Sequence, residues 1–357
     1  MGRLLFSVLN TFALSGYHIQ LFHNIDLEQF DEERPYLQNI KTIDNLVFID
    51  EIPENTGDMI YLFDRKDKLC ARKKWSKMVQ VGFDIFSSYL SSSLKDVLPI
   101  MMPYPMHPLL YKPTLPARLE AARKNERKLR IFFSGDTQGY KRNRIQYPAP
   151  KLTRTEVIDA ILERMNDRTL EITDAAAFNS LQQGDFINKC VILDNSSFRI
   201  DAGAWLESIS TGDFFLCPPG YVMPMCHNVV EAMAVGAIPV ISYPEWLNPG
   251  LEDGINCVAF TDADDLVKNI DRILAMEQAE ISEMKSRVIE YYEQHLDPRA
   301  FVNKLVSIDG ENVLLLMITD GCIAKKPTKL NMNSILITGH ARLPGDIWKG
   351  FRKSFGA

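Results

Sequence analysis

Between Asp213 and Ser242 the chain runs through an apolar stretch, a breaker, an amphipathic stretch and a second apolar stretch. Residues 213–217 are short, apolar and aromatic, and they stop at Pro218-Pro219-Gly220, which suits a buried strand. Val229, Val230, Met233 and Ala234 then recur at helical spacing over 226–235. Gly236 falls just past that helix, where glycine alone takes a positive φ without steric cost. Residues 238–241 are β-branched around Pro239 and read as the next buried strand. Strand, helix and strand at this length make a βαβ unit, and such units build parallel sheets.

The rest of the chain reads in the same terms. Residues 4–9 are an apolar run expected as a first strand, 11–15 a short helix closed at Gly16, and 17–22 an alternating strand. Short apolar runs at 46–49 and 59–63, separated by Pro53 and Gly57, are expected as further parallel strands. Trp75, Met78, Val79, Phe83 and Phe86 recur at helical spacing over 73–89. Pro99, Pro103, Pro105 and Pro108 forbid regular helix over 97–113 and favour extended backbone. That stiff segment presents His107, either as the rim of a cleft or as a plain connector. Residues 128–133 read as a strand, followed by a glycine turn and a basic loop with Arg142 and Arg144. Thr153-Arg-Thr-Glu156 spells a capping box ahead of Val157, Ile158, Ile161, Leu162 and Met165. Residues 190–193 and 258–260 are expected strands, and 205–210 an expected helix. Thr261-Asp-Ala-Asp264 caps a helix through Leu274, and Asp297-Pro298 begins a final one. Residues 313–318 and 334–338 are candidate strands.

At 357 residues the chain suits two domains, at roughly 100–200 residues each. The expected division is 1–112, a linker at 113–128, a second domain at 129–310 and an extension at 311–357. The linker is chosen for its basic residues, Lys112, Arg118, Arg123, Lys124, Arg127, Lys128 and Arg130, and is expected as an exposed helix. A hydrophobic content of 46% with 24% charged residues is that of a soluble globular protein. The net charge of −6 argues against nucleic acid as the main partner, because backbone phosphates need a basic face. The 6 cysteines are scattered without C-x-x-C spacing, which points to reduced thiols in a reducing, cytoplasmic setting. No run of about 18 apolar residues occurs. The opening Met1-Gly-Arg-Leu-Leu-Phe resembles a signal peptide but lacks a good cleavage site, so it is expected to be core. From Lys325 onward basic residues dominate around Trp348 and Phe351, a candidate peripheral membrane contact or a solvated tail.

The chemistry concentrates in the same 213–242 stretch. His227 and Glu231, four apart, share a helix face beyond a strand's carboxyl end, where an open α/β sheet binds its ligands. A helix start there suits a phosphate; a solvated helix face is the competing reading. No G-x-G-x-x-G opens a βαβ unit, which argues against a dehydrogenase, and no Asp-x-Asp motif is placed to hold a metal.

The segments Asp213-Phe-Phe-Leu-Cys-Pro-Pro-Gly220 and Glu231-Ala-Met-Ala-Val-Gly-Ala-Ile-Pro-Val240 resemble the donor site of GT-B glycosyltransferases, most closely the exostosin-like branch. Met225-Cys226 stands where that branch usually carries an arginine or serine. The resemblance implies an α/β fold of two Rossmann-like domains with parallel sheets, facing across a cleft. It implies that Glu231 holds the donor's ribose, while Pro219, Gly220, His227 and Asn228 lie at its phosphates or sugar. Arg142 and Arg144 would neutralise the diphosphate, with Arg199 as a further phosphate candidate, and Glu245 would lie near the sugar. His18, His107 and Asp64 are the candidates for a base on the acceptor side. The implied activity transfers sugar from a nucleotide-sugar donor to a glycan or lipid-linked acceptor, with neither metal nor other cofactor expected. A non-catalytic nucleotide-sugar-binding protein and a GT-B-type epimerase are the alternatives.

Overall fold

The structure is a computed structural model that describes residues 2–22, 38–63, 73–82, 99–137, 152–181, 184, 186–221, 223–310 and 312–317. The chain divides into two compact units, one running to Pro103 and resuming at Pro298, the other spanning Tyr104–Asp297. Every strand pairing among the described residues is parallel, so the fold class is α/β with parallel sheets.

The first unit opens with a helix, α1 (Gly2–Leu14), where a strand at 4–9 and a short helix at 11–15 were expected. Leu4, Val8 and Phe12 are spaced four apart and pack into the core from one face of it. Ser7, Thr11 and Ser15 donate their hydroxyls to the carbonyls of Arg3, Ser7 and Thr11, at 2.8, 2.7 and 2.8 Å, so the helix absorbs its own polar groups. A short apolar run does not distinguish a strand from a buried helix; the partner face does. The chain turns at Gly16 with φ 86° and enters β1 (Ile19–Phe22), which pairs with β2 (Leu46–Ile49). β3 (Ile60–Phe63) pairs with β4 (Lys77–Gly82). The helix expected over 73–89 is therefore a strand in its described part, with Lys77 and Val79 buried on alternate positions. β5 (Pro99–Met101) ends this part of the unit.

In the second unit, α2 (Leu115–Arg123) falls inside the expected 113–128 linker. Leu115, Leu119 and Ala122 are buried, so it is a packed helix of this unit and not an exposed connector. The chain continues through β6 (Leu129–Gly135), α3 (Arg154–Arg164), β7 (Thr169–Ile172), α4 (Ala175–Leu181), β8 (Phe186–Asp194), α5 (Trp205–Ile209) and β9 (Gly212–Cys217). It then adds α6 (His227–Ala234), β10 (Ile238–Ile241), β11 (Val258–Ala259), α7 (Ala263–Leu274) and α8 (Gln278–Tyr291). The sheet order is β11-β10-β9-β6-β8-β7. Every residue of β6, β9 and β10 is buried, as expected of a parallel sheet covered on both faces.

Local rules account for several boundaries. The capping box forms as spelled: Thr153 Oγ1 accepts from Glu156 N at 3.3 Å, and Glu156 Oε2 accepts from Thr153 N at 2.8 Å. Gly236 takes φ 76° and closes α6: its N–H donates to Met233 O at 3.0 Å, and that of Ala237 donates to Ala232 O at 2.9 Å.

The chain finally returns to the first unit. α9 (Pro298–Ser307) contributes Phe301, Val302 and Leu305 to the core that holds Val8 and Phe12. β12 (Asn312–Leu316), which the division at 310 leaves in an extension, lies inside the first unit's sheet, in the order β3-β4-β12-β5. It pairs with a strand on each side, and Val313 and Leu315 are buried in the same core as Val8, Phe12, Phe301, Val302 and Leu305.

Candidate functional site

The order of the second unit's sheet locates its crevice. From β6 the chain goes outward to β7 and back to β8 on one side, then crosses to β9, β10 and β11 on the other. The reversal lies between β6 and β9, and in open parallel sheets the loops leaving such a pair part and admit a ligand at the carboxyl ends. The loop after β9 begins with Pro218-Pro219-Gly220 and leads into α6.

That loop folds back on itself, with Gly220 N donating to Pro224 O at 2.9 Å. A Cβ on Gly220 would meet Met223 O at 2.6 Å and Met225 O at 2.9 Å, so the main chain itself demands glycine there. Cys226 is the N-cap of α6, and His227 and Asn228 are its first, half-buried residues. Asn228 Nδ2 donates to Ser134 O at 3.5 Å, tying the helix start to the end of β6.

Glu231 stands one turn along. It is 1% exposed. Its Oε1 accepts from His107 N at 2.7 Å and its Oε2 from Trp205 Nε1 at 2.6 Å. The expected ribose contact is thus a buried carboxylate already bearing two protein donors. His107 caps the short turn Pro108–Leu110, its Nδ1 accepting from Leu109 N at 3.3 Å. This places the proton of the neutral ring on Nε2. The His107 and His227 rings lie 5.2 Å apart at an interplanar angle of 65°. The structure therefore brings together His107, His227, Asn228 and Glu231 beside the Pro219-Gly220 loop.

Other expected residues lie elsewhere. Arg199 and Glu245 are exposed, on the chain leaving β8 and β10, and so at the same edge of the sheet as the Gly220 loop. His18 is exposed and belongs to the first unit. Asp64, Arg142 and Arg144, like the basic segment from Lys325, lie outside the described residues.

Three residues absent from the sequence-derived candidates are bonded to these groups or to the neighbouring loops. Trp205 carried no signal beyond starting a helix. Arg154 is 3% exposed and occupies the first position of α3, where a positive charge opposes the helix dipole; that misfit was a legible signal. Asp194 ends β8 and accepts from the Thr137 hydroxyl and, at 2.9 Å, from Ser196 N. Burial pushes its carboxyl up, but these hydrogen bonds outweigh burial and hold it below its ordinary value. At the other end of β9 the balance reverses: burial holds the Asp213 carboxyl above its ordinary value despite Arg130, Arg127 and Lys285. Burial also lifts the thiol of Cys217, next to the loop, well above the usual range, leaving it an inert core group.

Among the described residues, no group of three or more His, Cys, Asp and Glu side chains could hold a metal ion. No helix there is long and apolar enough to cross a membrane.

No family model and no curated protein matches the chain. Solved structures do. An S. aureus TarM mutant, solved with Fondaparinux, alpha-GlcNAc-glycerol and UDP, matches with TM-score 0.37 at 10% identity, over 64% of this chain and 50% of that one. WaaG, a glycosyltransferase involved in lipopolysaccharide biosynthesis, matches with TM-score 0.33 at 13% identity, over 85% of this chain and 96% of that one. AviGT4, a glycosyltransferase involved in Avilamycin A biosynthesis, matches with TM-score 0.33 at 12% identity, over 65% and 69%. The chain spans 50% of that TarM chain and 50% of the Candida albicans trehalose-6-phosphate phosphatase N-terminal domain, which it also matches.

Proposed function

We propose that this chain is a GT-B-type glycosyltransferase, akin to the exostosin-like branch, that moves a sugar from a nucleotide-sugar donor to a glycan or lipid-linked acceptor. The observation that carries the reading is the strand–loop–helix at β9 and α6, which opens at the sheet's switch point and bears the residues of the family-like segment. In this reading the Pro219-Gly220 loop, His227 and Asn228 hold the donor's phosphates at the start of α6. Arg142 and Arg144 neutralise the departing diphosphate, and no metal is needed. His107 belongs to the donor side, because its ring lies against that of His227. His18 and Asp64 are left as candidates for the acceptor's base. Glu231 supports the site from within the protein.

The test is thermal stabilisation by a panel of nucleotides and nucleotide sugars, wild type beside His227→Ala. At one hundred times the dissociation constant a ligand stabilises by about 2.7 kcal/mol. For a unit of 150–250 residues this raises Tm by roughly 5–11 °C. A shift with one nucleotide class, reduced in His227→Ala, supports the donor site, and assay of sugar release or transfer then separates an enzyme from a binder. No shift with any nucleotide refutes it.

A further inference from the structure

Arg154 joins the two loops that flank the switch point. Its Nη1 donates to Asp136 O at 3.1 Å, on the chain leaving β6. Its Nε donates to Pro219 O at 3.3 Å, on the chain leaving β9, and its Nη2 lies 3.7 Å from Cys226 Sγ at the N-cap of α6. The side chain is buried, its Nη1 packed close to Gly135, where a Cβ would stand 3.0 Å from the Phe133 ring and 3.4 Å from Nη1. The adjacent Thr155 hydroxyl donates to Thr137 O at 3.3 Å, a second tie from the start of α3 to the loop after β6. A guanidinium at the first position of a helix opposes the dipole and is costly to bury, so packing alone does not favour it there. Its planar fork, with donors aimed in fixed directions, is what bridging three separate acceptors requires; a lysine ammonium cannot span them.

We propose that Arg154 is a positioning residue for the ligand site: it sets the separation of the Asp136 and Pro219 loops and fixes the start of α6 before the ligand arrives. The ligand named here, a nucleotide or nucleotide sugar, rests on the function proposed above; the brace itself does not. A site so preorganised pays less ordering entropy on binding, so loosening it lowers affinity without removing any ligand contact.

The experiment compares wild type, Arg154→Lys and Arg154→Met by amide hydrogen exchange and by nucleotide binding well below Tm. Lysine preserves charge and most of the bulk, which guards against a methionine variant that fails to fold. The expected result is faster exchange confined to 136–137 and 220–229, with β6 and β9 still protected, together with at least a tenfold weaker Kd in both variants. Exchange that rises equally throughout the sheet, or unchanged exchange, overturns the brace. Local loosening with a Kd within twofold of wild type overturns its role in binding. If wild type binds no nucleotide, the donor-site reading fails, and the exchange measurement alone decides the brace.

Discussion

Replacing Glu231 by glutamine should destabilise the ligand-free protein. Its two carboxylate oxygens take the His107 amide at 2.7 Å and the Trp205 indole at 2.6 Å, in a residue 1% exposed. Hydrogen bonds to a charged group contribute about 1.5–3 kcal/mol each, and a buried donor left without an acceptor costs about 1–3 kcal/mol. Glutamine keeps one acceptor but turns an NH2 toward the other donor, while relieving part of the carboxylate's desolvation. The net loss is therefore about 2–3 kcal/mol, or roughly 4–12 °C in Tm for a unit of this size. Alanine, which removes both acceptors and opens a cavity, should lose more. Thermal unfolding measures the loss, and hydrogen exchange places it: the His107 amide should lose protection while β6 and β9 keep theirs. A direct contact to ligand predicts the reverse pattern, with unchanged stability in the ligand-free protein and a nucleotide shift that disappears. A glutamine variant that melts within about 1 °C of wild type would refute the anchoring argument.

The same edge of the sheet supports two further predictions. Gly220→Ala should weaken nucleotide binding more than it lowers Tm, because its Cβ meets Met223 O at 2.6 Å and only a shift of the loop relieves the clash; titration calorimetry beside thermal unfolding checks this, and unchanged affinity would show that the loop does not hold the ligand. Asp194 has a folded-state pKa below its ordinary 3.8, so its contribution is fully present above that value and is lost as pH falls through the lowered one. The Tm gap between wild type and Asp194→Asn should therefore be widest toward neutral pH and close on acidification; a gap that is constant or widens in acid refutes it.

The parts of this chain readable in sequence are those ruled by neighbours within a few residues. Thr153 and Glu156 find each other three apart, and Gly236 is placed by the φ 76° that ends its helix. The strand–loop–helix–strand at 212–241 is punctuated by local breakers, Pro218-Pro219-Gly220 and Gly236, that mark where each element stops. What tertiary structure decided is whatever depends on a distant partner. The run at 4–9 is helical because Val8 and Phe12 meet a core completed by Phe301 and Val302, nearly three hundred residues later. Asn312–Leu316 belongs to the first unit because it pairs with both Lys77–Gly82 and Pro99–Met101. Glu231 was legible as a candidate, but its partners lie 124 and 26 residues away, and Arg154 reaches Pro219 across 65. Hydrophobic spacing specifies which face of an element is buried; it carries no term for which buried polar group will meet another, because that pairing is set by loop closure and packing.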